Sequence, residues 1–200
     1  MGGVPGVPPA EVVILGAGVV GTSATQMFLG MGAHVTVIDQ NLVALQRIWD
    51  RNPCVVTKLS TKRNIEGSVK YADVVVGAVL TSGQRAPILV TREMVRSMKP
   101  RSVIMDVSID EGGCIETSHP TTHEHPVYIE ENVLHYCVPN MPGTGARTAT
   151  HAFVNSAMPY ILEIAALGPD AILNNSSIEP AVNTYDGKLR NLVRLSAQEE

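Results

Sequence analysis

A chain of 200 residues, 44% hydrophobic and 17% charged, has ample length for one folded domain, or one and a half, and shows no signature of disorder. A net charge of −4 with no basic cluster argues against nucleic acid as a partner, and no apolar run approaches the roughly 20 residues that cross a bilayer. Cys54, Cys114 and Cys137 are an odd set without metal-type pairing, read as free thiols in a reducing cytoplasm, and Met1 to Pro9 lacks the charged start and apolar centre of a signal peptide.

That opening stretch, MGGVPGVPP, is dense in Gly and Pro. It reads as an interdomain crossing with a stiff, turned path, which sets the expectation that further chain belongs upstream. Val12 to Leu15 is a short continuous apolar run, the pattern of a strand buried on both faces of a parallel sheet. Gly16-Ala17-Gly18-Val19-Val20-Gly21 follows with the spacing G-x-G-x-x-G. Gly16 permits a tight turn, Gly18 lets backbone approach a pyrophosphate, and Gly21 lets the next helix pack closely on the strand. That helix, about Val19 to Gly30, aims its free N–H groups at the same place. His34 to Ile38 is a second strand, closed by Asp39.

A lone G-x-G-x-x-G is a weak signal. Here it lies between strand and helix with an acid about 20 residues beyond, the context that gives it meaning; the bland alternative is a glycine turn that binds nothing. A carboxylate at Asp39 accepts hydrogen bonds from ribose hydroxyls and repels a 2′-phosphate. Since Gln40 and Asn41 follow rather than arginine, the expected cofactor is NAD, not NADP.

Further along, Asn41 caps a helix to about Asp50, Val55 to Thr57 is a third strand, and Thr61 to Lys70 a helix for the other face. Ala72 to Leu80 holds the fourth strand and its exit, and Thr91 caps a short helix ended by Lys99-Pro100. Ser102 to Val107 is the fifth strand, followed through Asp110 by a Gly112-Gly113 turn. Val127 to Ile129 and Val133 to Cys137 are strand-like. From Thr144 to Leu167 apolar residues recur at helical spacing, interrupted by Pro159, and Lys188 to Gln198 suggests a last amphipathic helix. The fold class is therefore α/β, a doubly wound parallel sheet of Rossmann type with a C-terminal helical extension. The boundary falls between 1–143 and 144–200. Segments ending at Gly16, Asp39, Leu80, Asp110 and Asn140 should line one crevice at the carboxyl ends of the strands.

Asp110 stands at that edge, either as a functional carboxylate or as a turn former beside Gly-Gly. Asp106, inside the strand, reads as structural. His119, His123, His125, His135 and His151 fit no common metal spacing, and a solvated polar loop is the better account of them. Cys137, near His135, reads as a buried inert thiol rather than a nucleophile. Asn140 to Gly143 places an amide against a nicotinamide carboxamide or is an ordinary turn; the residues alone leave both open.

Taken together, VVILGAGVVGT, GMGAHVTVID, DVVVGAVL, DVSIDEGGCIETS, HYCVPNMPGT and the RTAT that opens the long helix resemble the NAD-binding half of alanine dehydrogenase. They also resemble its relative, the NAD-binding subunit of transhydrogenase. The SIDEGGCIETS stretch with VPNMP favours the dehydrogenase, and residues 165 to 200 match loosely. The resemblance implies oxidation of L-alanine to pyruvate and ammonia with NAD, in a cytoplasmic homo-oligomer, usually a hexamer. It implies substrate-gripping residues in a domain that precedes Met1, with residues 144–200 returning to that domain. By motif, Asp39 holds the ribose, Ser60 lies near the adenine side, and Val79 and Leu80 flank the cofactor. Val107, Ser108, Ile109 and Asp110, with Val138, Pro139, Asn140 and Met141, close over the nicotinamide end, and Asp110 is the catalytic acid/base. Ala44 departs from the family's basic residue, His119 from its arginine, and Pro139 from its alanine. The rival readings are a transhydrogenase component and a non-catalytic NAD-binding or oligomerisation module.

Overall fold

Val12, Val13, Ile14 and Leu15 are all completely buried, and their alternation assigns them to two cores. Val13 and Leu15 join Ile38, Ile65, Val69, Val75, Met94 and Val95 on one face of the sheet. Val12 and Ile14 join Val35, Val37, Leu45 and Ile48 on the other. Successive side chains of a strand point to opposite faces, so one apolar run of this kind serves two layers of helices.

The computed structural model describes residues 1–191, which fall into two compact units divided between Pro139 and Asn140. In the first, seven strands form one sheet. They are β1 (Glu11–Leu15), β2 (His34–Asp39), β3 (Val56–Leu59), β4 (Val74–Gly77), β5 (Val103–Asp106), β6 (Val127–Glu130) and β7 (Val133–Tyr136). Their spatial order is β3-β2-β1-β4-β5-β7-β6. All pairings are parallel except β6 with β7. The sheet is thus parallel but for one antiparallel edge, where Glu131 and Asn132, at φ 50° and 63°, make a two-residue hairpin turn of the kind that needs two left-handed residues.

Four helices cross over between strands: α1 (Val19–Gly30), α2 (Leu42–Arg51), α3 (Lys62–Val69) and α4 (Arg92–Arg96). Three of them begin on capping side chains. Asn41 accepts from the Val43 and Ala44 amides, Thr61 from Asn64 and Thr91 from Met94. From β1 the chain passes to β2 on one side, and β4 lies on the other. The strand order therefore reverses between β1 and β4, and a crevice opens at their carboxyl ends.

The second unit contains α5 (Ala146–Leu167), the short α6 (Ala171–Asn174), and a hairpin of β8 (Thr184–Tyr185) with β9 (Lys188–Leu189). Helix α5 runs unbroken through Pro159, where an interruption was expected. Lys188 and Leu189 are strand rather than helix. Arg190 and Asn191 are not helical either, and residues 192–198 of the expected final helix lie outside the described residues. Val4 and Val7 bridge across Pro5-Gly6, with Gly6 at φ 86°, so the opening Gly/Pro stretch is a closed turn.

Candidate functional site

Each glycine of the G-x-G-x-x-G turn answers to a different neighbour. Gly16 sits at φ 109°, and a Cβ there would lie 2.2 Å from the Ala78 carbonyl oxygen, at the exit of β4. A Cβ on Gly21 would lie 1.9 Å from the Gly16 carbonyl oxygen, so α1 rests directly on the turn. At Gly18 there is nothing within 4 Å of the added atom: its missing side chain opens space rather than filling a contact. Helix α1 starts at Val19 with no side-chain cap, leaving its first N–H groups facing that space, where an anion is favoured by donors and dipole together.

Asp39 closes β2 beside the turn. Its carboxylate accepts from the Ala17 amide at 2.6 Å and from the Asn41 amide at 2.7 Å, while its carbonyl accepts from Ser60 at 2.9 Å. The acid therefore braces the glycine turn as well as presenting oxygens outward, a second duty that spacing alone did not suggest. A crevice of about 590 Å³ is lined by Gly16, Ala17, Gly18, Val19, Val20, Asp39, Ser60, Val79 and Leu80, joined by Gln40, Asn41, Ala44, Arg47, Thr81, Pro87 and Leu89. Arg47 escaped the sequence reading. It follows Ala44 by three residues on α2, the spacing that puts two side chains on one helix face.

The other expected site residues do not line that crevice. Gly21 lies beneath it. Strand β5 ends at Asp106, and Val107–Glu111 is a 3-10 turn, so Asp110 rides on a turn past the strand rather than at its tip, and is exposed. Ser108 and Ile109 are buried, as is Val138. Asn140 and Met141 open the second unit, Asn140 in a left-handed conformation at φ 51° ahead of the 3-10 turn Met141–Gly145. The expectation of one crevice thus holds for the segments at Gly16, Asp39 and Leu80, and not for Asp110.

Asp106 is fully buried. Its carboxyl accepts from the Ser108 amide at 3.1 Å and the Cys114 amide at 3.0 Å. Burial raises its pKa against the opposing pull of these bonds and that of Ser118. Burial, with Asp106 adjacent, pushes the Cys114 thiol far up, and burial raises Cys137 as well; neither is a thiolate nucleophile. His135 is fully buried in β7 rather than part of a solvated polar loop. Its Nδ1 faces the Val133 carbonyl at 3.0 Å and its Nε2 the Thr117 hydroxyl at 2.8 Å, partners that select the neutral Nδ1–H tautomer. Burial lowers its pKa. Among the described residues no group of three or more His, Cys, Asp or Glu is placed to hold a metal ion, and no helix is long and apolar enough to cross a membrane.

A doubly wound sheet with a glycine turn at its switch point, a helix N-terminus beyond it and an acid closing the second strand defines a Rossmann-type dinucleotide-binding domain. Residues 1–192 match the family described as alanine dehydrogenase/PNT, C-terminal domain, and the chain belongs to that family. It is 48% identical over 191 residues to the alanine dehydrogenase of Mycolicibacterium smegmatis, covering 94% of this chain and 52% of that protein. It is 49% identical over 194 residues to the alanine dehydrogenase of Methanococcus maripaludis, again covering 94% and 52%. A solved L-alanine dehydrogenase superposes with a TM-score of 0.83 at 45% identity, over 94% of this chain and 52% of its own. The transhydrogenase from Sinorhizobium meliloti follows at 0.69 and 28%, over 80% and 46%. The family match runs on through residue 192. The chain spans about half the length of the curated relatives it matches.

Proposed function

We propose that this chain is the NAD-binding half of an alanine dehydrogenase, oxidising L-alanine to pyruvate and ammonia when the rest of such an enzyme is present. The observation that carries the reading is the open cradle at Gly18, walled by Gly16 and Val79 and flanked by Asp39. A dinucleotide fits it: Gly18 and the α1 N-terminus would hold the pyrophosphate, and Asp39 the adenosine ribose. Ser60 would lie near the adenine side, and Val79 and Leu80 would flank the cofactor. Bound NAD supplies the hydride acceptor.

This chain's own part is to fix that acceptor and exclude water from its reactive end. Val107 to Asp110 and Val138 to Met141 are assigned to the nicotinamide end. Asp110, exposed on its 3-10 turn, is assigned the acid/base role, holding and releasing the proton of the water that hydrolyses the imine. Residues 144–200 are assigned to contact with a substrate domain, and the whole to a cytoplasmic homo-oligomer, a hexamer by resemblance. The greater likeness to dehydrogenases than to a transhydrogenase favours the first of those two readings.

Calorimetric titration with NADH and NADPH tests the cofactor. NADH should bind and NADPH should bind markedly less tightly; equal affinity contradicts the assignment of Asp39. Supplying the complementary half of a relative tests the chemistry. Alanine-dependent NADH formation that is lost in Asp110→Asn supports the reading, and no turnover with NADH bound and Asp110 intact contradicts it.

A further inference from the structure

The carboxylate of Asp106 forks toward two walls of the crevice without touching it. Through one oxygen it holds the Ser108 amide at 3.1 Å, and the Ser108 hydroxyl in turn accepts from the Val79 amide at 2.9 Å. Val79 lines the crevice. The residue before it, Ala78, presses its carbonyl against Gly16 so closely that no Cβ fits between them. Through the other oxygen Asp106 holds the Cys114 amide at 3.0 Å, and the Cys114 carbonyl accepts from Leu89 at 2.8 Å. Leu89 lines the same crevice. Two glycines make room for the carboxylate: a Cβ on Gly77 would lie 2.8 Å from one of its oxygens, and a Cβ on Gly113 3.0 Å from the other.

We propose that Asp106 is a positioning residue for the cofactor crevice, setting the Val79 wall through Ser108 and the Leu89 wall through Cys114. The proposal rests on the reading of that crevice as the dinucleotide site. A carboxylate suits the task because it only accepts, and both of its oxygens meet backbone N–H groups. Asparagine keeps the shape but turns one oxygen into a donor that faces an N–H, so one arm of the fork must open, and the other loses its charge-assisted bond, which loosens both walls. Ser108 thereby links a buried acid to the half-buried Val79 wall, its hydroxyl accepting from the Val79 amide.

The test uses the 200-residue chain with NADH fluorescence titration and amide hydrogen exchange. Asp106→Asn should weaken NADH binding by about tenfold, the consequence of one buried partner lost. Ser108→Ala should weaken it by a smaller factor with the fold retained, and Ser108→Thr, which keeps the hydroxyl, should restore it. Because the two act in series, the double variant should bind no more weakly than Asp106→Asn alone, whereas independent effects would multiply. The Val79 amide should exchange faster in both single variants, and the Leu89 amide in Asp106→Asn.

Wild-type affinity in Ser108→Ala, or unchanged exchange at Val79 in that variant, overturns the proposal, as does a double variant whose effects multiply. Ser108→Ala decides the matter should Asp106→Asn fail to fold. Failure of the wild-type chain to bind NADH sinks the dinucleotide reading, and with it the cofactor role of Asp106. Val79 exchange then still reports whether the fork exists.

Discussion

One methyl group separates the duties of the glycines in the turn. At Gly21 an added Cβ meets backbone at 1.9 Å, and backbone cannot step aside as a flexible side chain can. Gly21→Ala should therefore destabilise the chain by about 1–3 kcal/mol, the range for overpacking, measured by denaturant unfolding. Asp39 carries a different lesson. Because it accepts from Ala17, Asp39→Ala should lose NADH affinity and also loosen the turn, whereas Asp39→Asn keeps an acceptor for Ala17 and gives up only the exposed contact with the Asn41 amide, so that the charge is the main loss. If the charge sets selectivity, Asp39→Asn should narrow the preference for NADH over NADPH while melting close to wild type.

His135 links a residue to pH. Burial lowers its folded pKa below the ordinary 6.5, so the unfolded chain takes up the proton first. Its contribution is full above that value and is lost as pH falls through and below it. The wild-type melting temperature should decline between pH 7 and pH 5 more steeply than that of His135→Gln, by the linkage relation; parallel curves would contradict the assignment.

Among elements, the helix starts were the most legible, because a cap is a local event between a side chain and an amide two or three residues on. Asn41, Thr61 and Thr91 cap as their positions require, and Asn41→Ala should cost about 1 kcal/mol in unfolding free energy. Strand identity was also legible, since runs such as Val12 to Leu15 have no other stable home. Strand ends were not. The chain leaves β5 at Asp106 because the carboxyl there captures the Ser108 amide and starts a 3-10 turn, a choice made by one side chain against the propensity of Val107 and Ile109. Asp106 itself was read as structural from its place in a strand. Its fork of hydrogen bonds depends on Cys114, Val79 and Leu89, contacts that no local pattern reveals. Arg47 was missed for a similar reason: which face of α2 meets the crevice is decided by packing.

For the molecule as a whole, the topology matters more than any one contact. The reversal of strand order between β1 and β4 gathers the glycine turn, Asp39 and Val79 from stretches far apart in the chain, which is why the motif made sense before its surroundings did. The second unit is of another kind. Helix α5 buries no residue, and Phe153, Ile161 and Leu162 stand exposed to 72%, 52% and 61%. Helical spacing correctly announced an apolar helix. With about half the length of its relatives, the chain offers a cofactor platform. Domain closure over a bound substrate, which hydride transfer requires, belongs to the larger assembly proposed for it.

The claim on which all of this turns is that Gly18 is bare so that a pyrophosphate can lie against it. Gly18 has φ −75° and open space around its missing Cβ, so Gly18→Ala should fold and melt close to the wild type, a stiffer unfolded chain offsetting the poorer helix cap that alanine makes. The decisive measurement is the NADH dissociation constant of Gly18→Ala against that of the wild type, by calorimetry at matched temperature. The account predicts binding weakened by more than about tenfold in a protein of undiminished stability. Equal affinity in the two proteins would contradict it.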